Sequence, residues 1–289
     1  MVEYILGNYL VETGKITKEQ LAQTLEKQDS VRVKLGLIAV DEGMMSLEQT
    51  NEVNRLQALM DQRFGDIAVQ KGYLSEDQVS KLLKKQGNAY LSFIQTLVDG
   101  NYLDMEDIDL VVNSFRLINN YSNSEMEDLK SDEPERIVPL FVPEEGKQFT
   151  TLISTAVKTL IRLIDRHIYI GKAEMTTTFP ARDMVSQSLK GDPGYVSCLS
   201  DGNGALLQVC SVYGQEDFTE LDLDALDAAG ELLNCINGLY ASSLSREGHF
   251  LELMPPDYDD VTDKAKTVIC KVPVFIDDQK FYFTVAELA

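Results

Sequence analysis

Four residues in the C-terminal half have types and a spacing suited to chemistry: Asp227, Glu231, Asn234 and Gly238. At 100° per residue on a helix they lie within about 60° of one another. The apolar residues of the same segment fall on the opposite side, so the four form one polar stripe. A carboxylate can pair with a cation, and a carboxamide can donate and accept hydrogen bonds and so hold a water molecule. A polar stripe of this kind is commonly only solvated.

Two glycines distinguish this predicted helix from an ordinary amphipathic one. Gly230 and Gly238 stand in its interior, where each costs about 1 kcal/mol relative to alanine. Neither position is a helix cap. A glycine beside an exposed carboxylate and carboxamide lets the backbone of another molecule approach closely. The pattern therefore favours a surface for a partner.

The motif D-x-x-x-E-x-x-N-x-x-x-G at residues 227–238 resembles the signature of the CheC/CheX/FliY chemotaxis phosphatases. These proteins remove phosphate from phosphorylated CheY-type response regulators. Their motif also has a proline at a set distance after the asparagine, and here Pro256, preceded by Pro255, falls one position short of it. The resemblance covers residues 149–289, with one motif helix as in the CheX type, and it implies a CheX-like domain.

The resemblance also implies a role for each residue of the motif. Asn234 would position the water that attacks the aspartyl phosphate, and Glu231 would pair with the active-site lysine of the regulator. Asp227 and Gly238 would belong to the partner-binding surface. The Mg²⁺ and the phosphoryl group would belong to the regulator, so we expect no metal or cofactor held by this chain. The alternatives are a binding module that has kept the motif and a merely solvated helix face.

The segments around the motif predict a domain with helices packed on a largely antiparallel sheet. A helix opens it at FTTLISTAVKTLIRLID, and strands are predicted at HIYIGKAEMTT, YVSCLS, ALLQVCSVY and GHFLELM. The segments TVICKVPVFID and KFYFTVAEL read as a closing hairpin. CheX-type domains pair through sheet edges, so we expect a homodimer in which KFYFTVAEL is the exposed edge strand.

Residues 1–118 repeat one unit at a constant interval. The copies begin at Leu6, Leu35, Phe64 and Phe93. Each copy has a short apolar helix, a turn glycine suited to a left-handed conformation, an N-cap residue and a second helix. The turn glycines are Gly14, Gly43, Gly72 and Gly100, the last arriving one residue early, which predicts a residue lost before the fourth turn. The caps are Thr17, Ser46, Ser75 and Asp104, with Gln20, Gln49 and Gln78 completing capping boxes. The sequence predicts four helix-turn-helix repeats that bury their apolar faces by stacking.

The repeat pattern LGxxLVxxGxIxxxQLxxxLxxQ resembles the N-terminal domain of type II secretion and pilus ATPases. Related versions bind cyclic di-GMP and favour arginine before the Leu-Gly pair. Here only Arg63 fits, with Ile5, Lys34 and Ser92 in the other copies. We expect a docking or regulatory module. The non-enzymatic alternative is an adaptor that binds a protein or cyclic di-GMP and regulates motility or secretion.

Residues 119–148 are acidic and contain three prolines, which predicts a linker between the two domains. Its apolar core, IVPLFV, is the exception and could dock as an edge strand.

Composition limits the partners of the whole chain. The 289 residues include 26 Lys and Arg against 47 Asp and Glu, a net charge of −21. Such a field repels phosphate backbones, which makes nucleic acid and anionic membrane poor candidate partners, and we expect no nucleic acid partner. No basic leader or long apolar run is present, so we expect a cytoplasmic protein without membrane insertion. The four cysteines lack Cys-x-x-Cys spacing, which favours reduced thiols over a zinc site.

Overall fold

The chain divides into two units, Val2–Asp132 and Glu133–Ala289, the second grouped with Met1. The computed structural model describes residues 1–60, 62–178, 183–258 and 261–289, without the side chain at residue 267. Among these residues, no helix combines the length and apolar character needed to cross a bilayer.

The described residues of Val2–Asp132 form helices joined by short turns. They are α1 (Val2–Glu12), α2 (Lys18–Gln28), α3 (Leu35–Asp41), α4 (Leu47–Met60), α5 (Phe64–Gln70), α6 (Glu76–Lys84), α7 (Ala89–Asp99), α8 (Met105–Ile118) and α9 (Asn123–Lys130).

The helices α2, α4, α6 and α8 begin at equal intervals along the chain, each directly after a predicted N-cap. The cap side chain accepts a hydrogen bond from the backbone N–H three residues later, at 2.8 to 3.2 Å. At the first three caps the glutamine three residues later accepts a hydrogen bond from the cap's own N–H, each at 2.8 Å. The capping boxes are therefore present, and they define where these helices start.

The turn before α8 differs from its prediction. Gly14, Gly43 and Gly72 have the expected positive φ of 67°, 63° and 72°, but Gly100 is right-handed at φ −76°. Asn101, one full repeat after Gly72, takes the left-handed position with φ 52°. Asparagine tolerates this conformation better than other side chains do. The prediction that the fourth unit lost a residue before its turn is therefore wrong.

The segment 119–148, predicted as a linker, is largely helical. It holds α9, α10 (Pro134–Phe141) and a 3₁₀ helix (Glu144–Phe149). A capping box at Ser122 starts α9, and Pro134 occupies the first turn of α10, where its missing N–H is harmless. The IVPLFV run is therefore helix and not an edge strand, because its apolar side chains are buried at helical spacing, at Ile137, Val138 and Phe141.

The unit Glu133–Ala289 contains a seven-stranded sheet, antiparallel in every recorded pairing, with helices. The order is β1-β6-β7-β4-β3-β5, and β2 also pairs with β6. The strands are β1 (Tyr169–Ile170), β2 (Glu174–Thr176), β3 (Met184–Lys190), β4 (Tyr195–Asp201), β5 (Glu252–Leu253), β6 (Ala265–Ile276) and β7 (Gln279–Leu288). The helices are α10, α11 (Thr150–Leu163), α12 (Ala205–Gly214), α13 (Leu223–Arg246) and α14 (Val261–Lys264).

Two further predictions about strands are wrong in this unit. ALLQVCSVY forms α12, which starts where the carboxylate of Asp201 accepts hydrogen bonds from the N–H groups of Gly204 and Leu206. KFYFTVAEL forms β7, which pairs with β6 on one side and with β4 on the other. Because both sides of β7 are hydrogen-bonded, it is not an exposed edge. The predicted hairpin of β6 and β7 is confirmed.

Helix α13 packs against β3 and β4 of the sheet and against α11 and α12. Its buried side chains include Leu232, Leu233 and Ile236. Burial of such aliphatic side chains contributes roughly 1.5–3 kcal/mol each. The helix that carries the motif is therefore held firmly in the core.

Candidate functional site

Helix α13 is capped at its N-terminus by Asp222, whose carboxylate accepts a hydrogen bond from the N–H of Ala225 at 3.0 Å. The face predicted to be apolar is buried, at Ala229, Leu232, Leu233, Ile236 and Tyr240. Leu239, an apolar residue predicted to lie on the same face, is 41% exposed because it lies at the edge of that apolar face. The opposite face is available to solvent.

The four predicted site residues lie along that open face. Asp227, Glu231 and Asn234 are exposed, and Gly238 is half-buried. A Cβ added at Gly238 would have only the Cδ2 of Leu253 within 4 Å, at 3.9 Å. The helix surface at Gly238 is therefore open, as close approach by a partner would require.

Gly230 has a different explanation from the predicted one. It is buried, and a Cβ there would lie 3.3 Å from the Cβ of Pro256 and 3.4 Å from the Cγ2 of Val185. The absence of a side chain at Gly230 therefore makes room for the loop that follows β5, and not for a partner molecule. Pro256 is thus part of the wall beside the stripe.

The loop at residues 254–258 runs beside α13 and is attached to β3. Ser186 and Asp257 exchange two backbone hydrogen bonds, at 2.7 and 2.8 Å. The Asp257 carboxylate also accepts from the Ser186 hydroxyl at 3.1 Å and pairs with Lys264. Backbone and side-chain contacts therefore both hold the loop in place beside the helix.

The last residue of this loop contacts the start of the stripe. The hydroxyl of Tyr258 donates to Oδ1 of Asp227. That hydrogen bond to a carboxylate, helped by partial desolvation, raises the pKa of Tyr258 to about 12. Asp227 therefore binds within its own chain, and it positions the loop's tyrosine at the site.

The side chain of Asn234 is hydrogen-bonded to Gln187, a buried glutamine that was not predicted from the sequence. Gln187 of β3 donates from Nε2 to Oδ1 of Asn234 at 2.7 Å and to the carbonyl oxygen of Met254 at 2.8 Å. Its Oε1 accepts from Nδ2 of Asn237 at 2.7 Å. Asn237 in turn contacts the hydroxyl of Ser197. The exposed amide is thus the outer end of a buried polar network.

Glu231 makes no hydrogen bond or ion pair with any residue that the structure describes. It lies near Tyr213 of α12, whose pKa is raised mainly by burial and further by the nearby carboxylate of Glu231. Asn234 Nδ2 likewise has no partner within the described ranges. The site therefore presents an unpaired carboxylate and an unpaired amide N–H group less than one helical turn apart.

No group of three or more His, Cys, Asp or Glu residues that could hold a metal ion occurs in the described parts of the chain. The cysteines are free thiols. Burial raises the pKa of Cys210 and of Cys270 to about 12, so both stay protonated at neutral pH.

The helical unit has a cavity of about 410 Å³ lined by residues of α3, α4, α7 and α8. Lys34, before the second Leu-Gly pair, lines it, and so do Asp104 and Glu106. The hydroxyl of Thr50, also in its lining, is buried without a hydrogen-bond partner. Arg63 is exposed at the N-terminus of α5 and is not among the lining residues.

Comparison with known proteins gives structural neighbours only. No protein-family model matches the chain, and no curated protein matches it significantly. A chemotaxis protein CheX from Desulfovibrio desulfuricans is 14% identical with a TM-score of 0.42, over 49% of this chain and 99% of that chain.

Two further solved structures are similar over the same extent. A CheX–CheY–BeF₃–Mg²⁺ complex from Borrelia burgdorferi is 18% identical, with a TM-score of 0.40 over 48% of this chain and 96% of that chain. FliY from Thermotoga maritima is 19% identical, with a TM-score of 0.37 over 50% and 90%. CheX, CheC-like and FliY proteins are thus among the structural neighbours of about half of the chain. The resemblance of residues 1–118 to secretion ATPases stays a prediction.

Proposed function

We propose that this protein accelerates hydrolysis of the aspartyl phosphate of a CheY-type response regulator. One observation carries the proposal: Asn234 presents a free amide N–H group beside the unpaired carboxylate of Glu231, on an exposed helix face. The oxygen of the same amide is held by Gln187 at 2.7 Å. The arrangement offers a directed hydrogen-bonding group to a molecule that docks on α13.

Asn234 would hold the attacking water. In the reaction, the water oxygen bonds to phosphorus while the bond from phosphorus to the aspartyl oxygen breaks, giving a free carboxylate and inorganic phosphate. An amide can donate to one oxygen and accept from the water, as glutamine does in GTPases. Fixing that water in line with the breaking bond removes orientational entropy from the barrier.

Glu231 would orient the regulator. It is exposed and has no partner among the described residues, so it is free to pair with a cation on a docked protein. The regulator would supply this cation, and its Mg²⁺ would neutralise the phosphoryl group. Since the chain carries a net charge of −21, docking would depend on such cations and would weaken as salt rises.

The deciding experiment measures phosphate release from phosphorylated receiver proteins with and without this protein. Asn234→Ala should lower the catalysed rate by roughly a hundredfold, as loss of a transition-state hydrogen bond does elsewhere, and leave regulator binding nearly intact. Glu231→Ala should weaken both binding and rate. Asn113→Ala, at an exposed asparagine of α8, is the matched control and should change neither.

Full activity in both site variants, or no acceleration with any phosphorylated receiver, would exclude this function. The chain would then be a binding module.

For the helical unit we propose a docking or regulatory role, for which the cavity at Lys34 and Thr50 is the supporting observation. The unpartnered hydroxyl of Thr50 favours a bound ligand, whereas the carboxylates of Asp104 and Glu106 disfavour a ligand with two negatively charged phosphodiester groups. Calorimetric titration with cyclic di-GMP should therefore show no binding at micromolar concentration. Tight binding abolished by Lys34→Ala would instead support the nucleotide-regulated adaptor.

We also propose that the protein forms a homodimer. We do not place the dimer interface at β7, because that strand is not an exposed edge. Sedimentation at micromolar concentration should show twice the mass of the chain, and a monomer would exclude it.

A further inference from the structure

Beneath the exposed asparagine lies a chain of buried amides with a fixed direction. Gln187, Asn237 and Ser197 are fully buried. Gln187 uses both N–H groups of Nε2, one toward the carbonyl of Met254 and one toward Asn234. Its oxygen accepts from Asn237. Both N–H groups and the oxygen of the Gln187 amide therefore have hydrogen-bond partners.

The direction of this series of hydrogen bonds is set by a group that can only accept. A backbone carbonyl only accepts hydrogen bonds, so the Gln187 atom facing Met254 must be the nitrogen. The second N–H group of that nitrogen then faces Asn234, which must present its oxygen. Nδ2 of Asn234 is consequently turned away from Gln187, where the described residues offer it no partner.

The other end of the network agrees with this direction. Because Oε1 of Gln187 can only accept, Asn237 must present Nδ2 to it, at 2.7 Å. The hydroxyl of Ser197 lies 2.8 Å from that nitrogen and 3.0 Å from Oδ1 of Asn237. Reversing Gln187 would face oxygen to oxygen at Met254 and nitrogen to nitrogen at Asn237. Each unpaired buried group would cost free energy that the native orientation avoids.

We propose that Gln187 is a positioning residue: it selects one orientation and one rotamer of the Asn234 amide. Nδ2 is then offered to the docked molecule, and Oδ1 retains a second lone pair for a water. This inference rests on the proposed function of Asn234. Gln187 itself lies in β3 beneath the helix and acts only through Asn234.

Gln187→Met is the main test, because methionine has the same length and no amide. We expect the turnover number for phosphate release to fall roughly tenfold, while the dissociation constant of the regulator changes less than twofold. A defect confined to turnover fits a misoriented Asn234, since the exposed docking residues are unchanged.

Gln187→Glu separates orientation from polarity. It keeps the size and the acceptor toward Asn237, but it replaces the nitrogen that must donate to Met254 and Asn234. We expect a turnover loss at least as large as in Gln187→Met. Gln187→Glu also tests the positioning role of Gln187 if the Gln187→Met variant does not fold. Full activity in Gln187→Glu would overturn the proposal.

Ser197→Ala is the matched control. It removes a buried hydrogen bond to Asn237 and leaves the contact between Gln187 and Asn234 in place. It should lower the melting temperature but keep turnover within twofold. An equal turnover loss in Ser197→Ala would mean that the network acts only through stability.

A measurement independent of activity is the χ1 rotamer of Asn234, read from NMR three-bond couplings in the full chain. We expect one rotamer in the wild type and in Ser197→Ala, and averaging over rotamers in Gln187→Met. A fixed rotamer in Gln187→Met would overturn the proposal. If the wild type releases no phosphate from any regulator, the proposed function fails, but the couplings still decide whether Gln187 fixes the rotamer of Asn234.

Discussion

The two glycines of α13 should respond oppositely to the same substitution. At Gly238 an added Cβ has only one atom within 4 Å, at 3.9 Å, so Gly238→Ala gains helix propensity without a clash. We expect it to raise the free energy of unfolding by about 0.5–1 kcal/mol. At Gly230 the added Cβ would lie 3.3 Å from Pro256 and 3.4 Å from Val185.

Overpacking of this kind typically costs about 1–3 kcal/mol, which exceeds the propensity gain of about 1 kcal/mol. Gly230→Ala should therefore lower the free energy of unfolding by about 1 kcal/mol. The two variants then differ by about 2 kcal/mol, or roughly thirtyfold in an equilibrium constant.

Hydrogen exchange of the α13 amides, followed by mass spectrometry on the full chain, measures this difference within the sheet-containing unit. The amides should exchange more slowly in Gly238→Ala and faster in Gly230→Ala than in the wild type. Equal stabilisation by both substitutions would refute the packing of Pro256 on Gly230, and with it the described wall of the site.

Three further changes have definite expected outcomes. Gly238→Leu should block regulator binding in a pull-down while leaving the melting temperature unchanged or higher, because the added side chain projects from an open helix face; retained binding would contradict the docking surface. Tyr258→Phe should remove one phenol that titrates near pH 12 in the ultraviolet difference spectrum. Because the folded pKa of Tyr258 is above the ordinary value of 10, its hydrogen bond to Asp227 contributes stability below pH 10 that is lost between pH 10 and 12; a phenol titrating near 10 would show that the bond does not form in solution. Gly72→Ala should lower the free energy of unfolding by about 1 kcal/mol through backbone strain alone, since φ is +72° and no atom lies within 4 Å of the added Cβ; an unchanged urea midpoint would contradict the left-handed turn.

Features that depend on neighbouring residues could be predicted from the sequence. The caps at Thr17 and Ser75 and the left-handed turns at Gly14 and Gly43 follow from local hydrogen bonding and backbone sterics. The exposed face of α13 follows from helical periodicity. The roles assigned to its residues rest on the resemblance and stay predictions.

Features that depend on distant residues could not be predicted. ALLQVCSVY is a nearly continuous apolar run, which fits a buried strand or a buried helix equally well. Strand β3 was missed because MVSQSLK places Ser186 and Gln187 inside, where partners far along the chain satisfy them. The central place of β7 likewise depends on pairing with β4, which lies much earlier in the chain.

The carbonyl oxygen of Met254 has a consequence for how this site can vary. The group that gives the amide chain its direction belongs to the main chain, so every amino acid at position 254 would supply it. The direction of these hydrogen bonds therefore depends on the path of the loop. The backbone bridge between Ser186 and Asp257 and the packing of Pro256 on Gly230 hold that path. Substitutions at position 254 should therefore be tolerated, whereas a one-residue insertion or deletion in the loop should disable the site without changing any residue of α13.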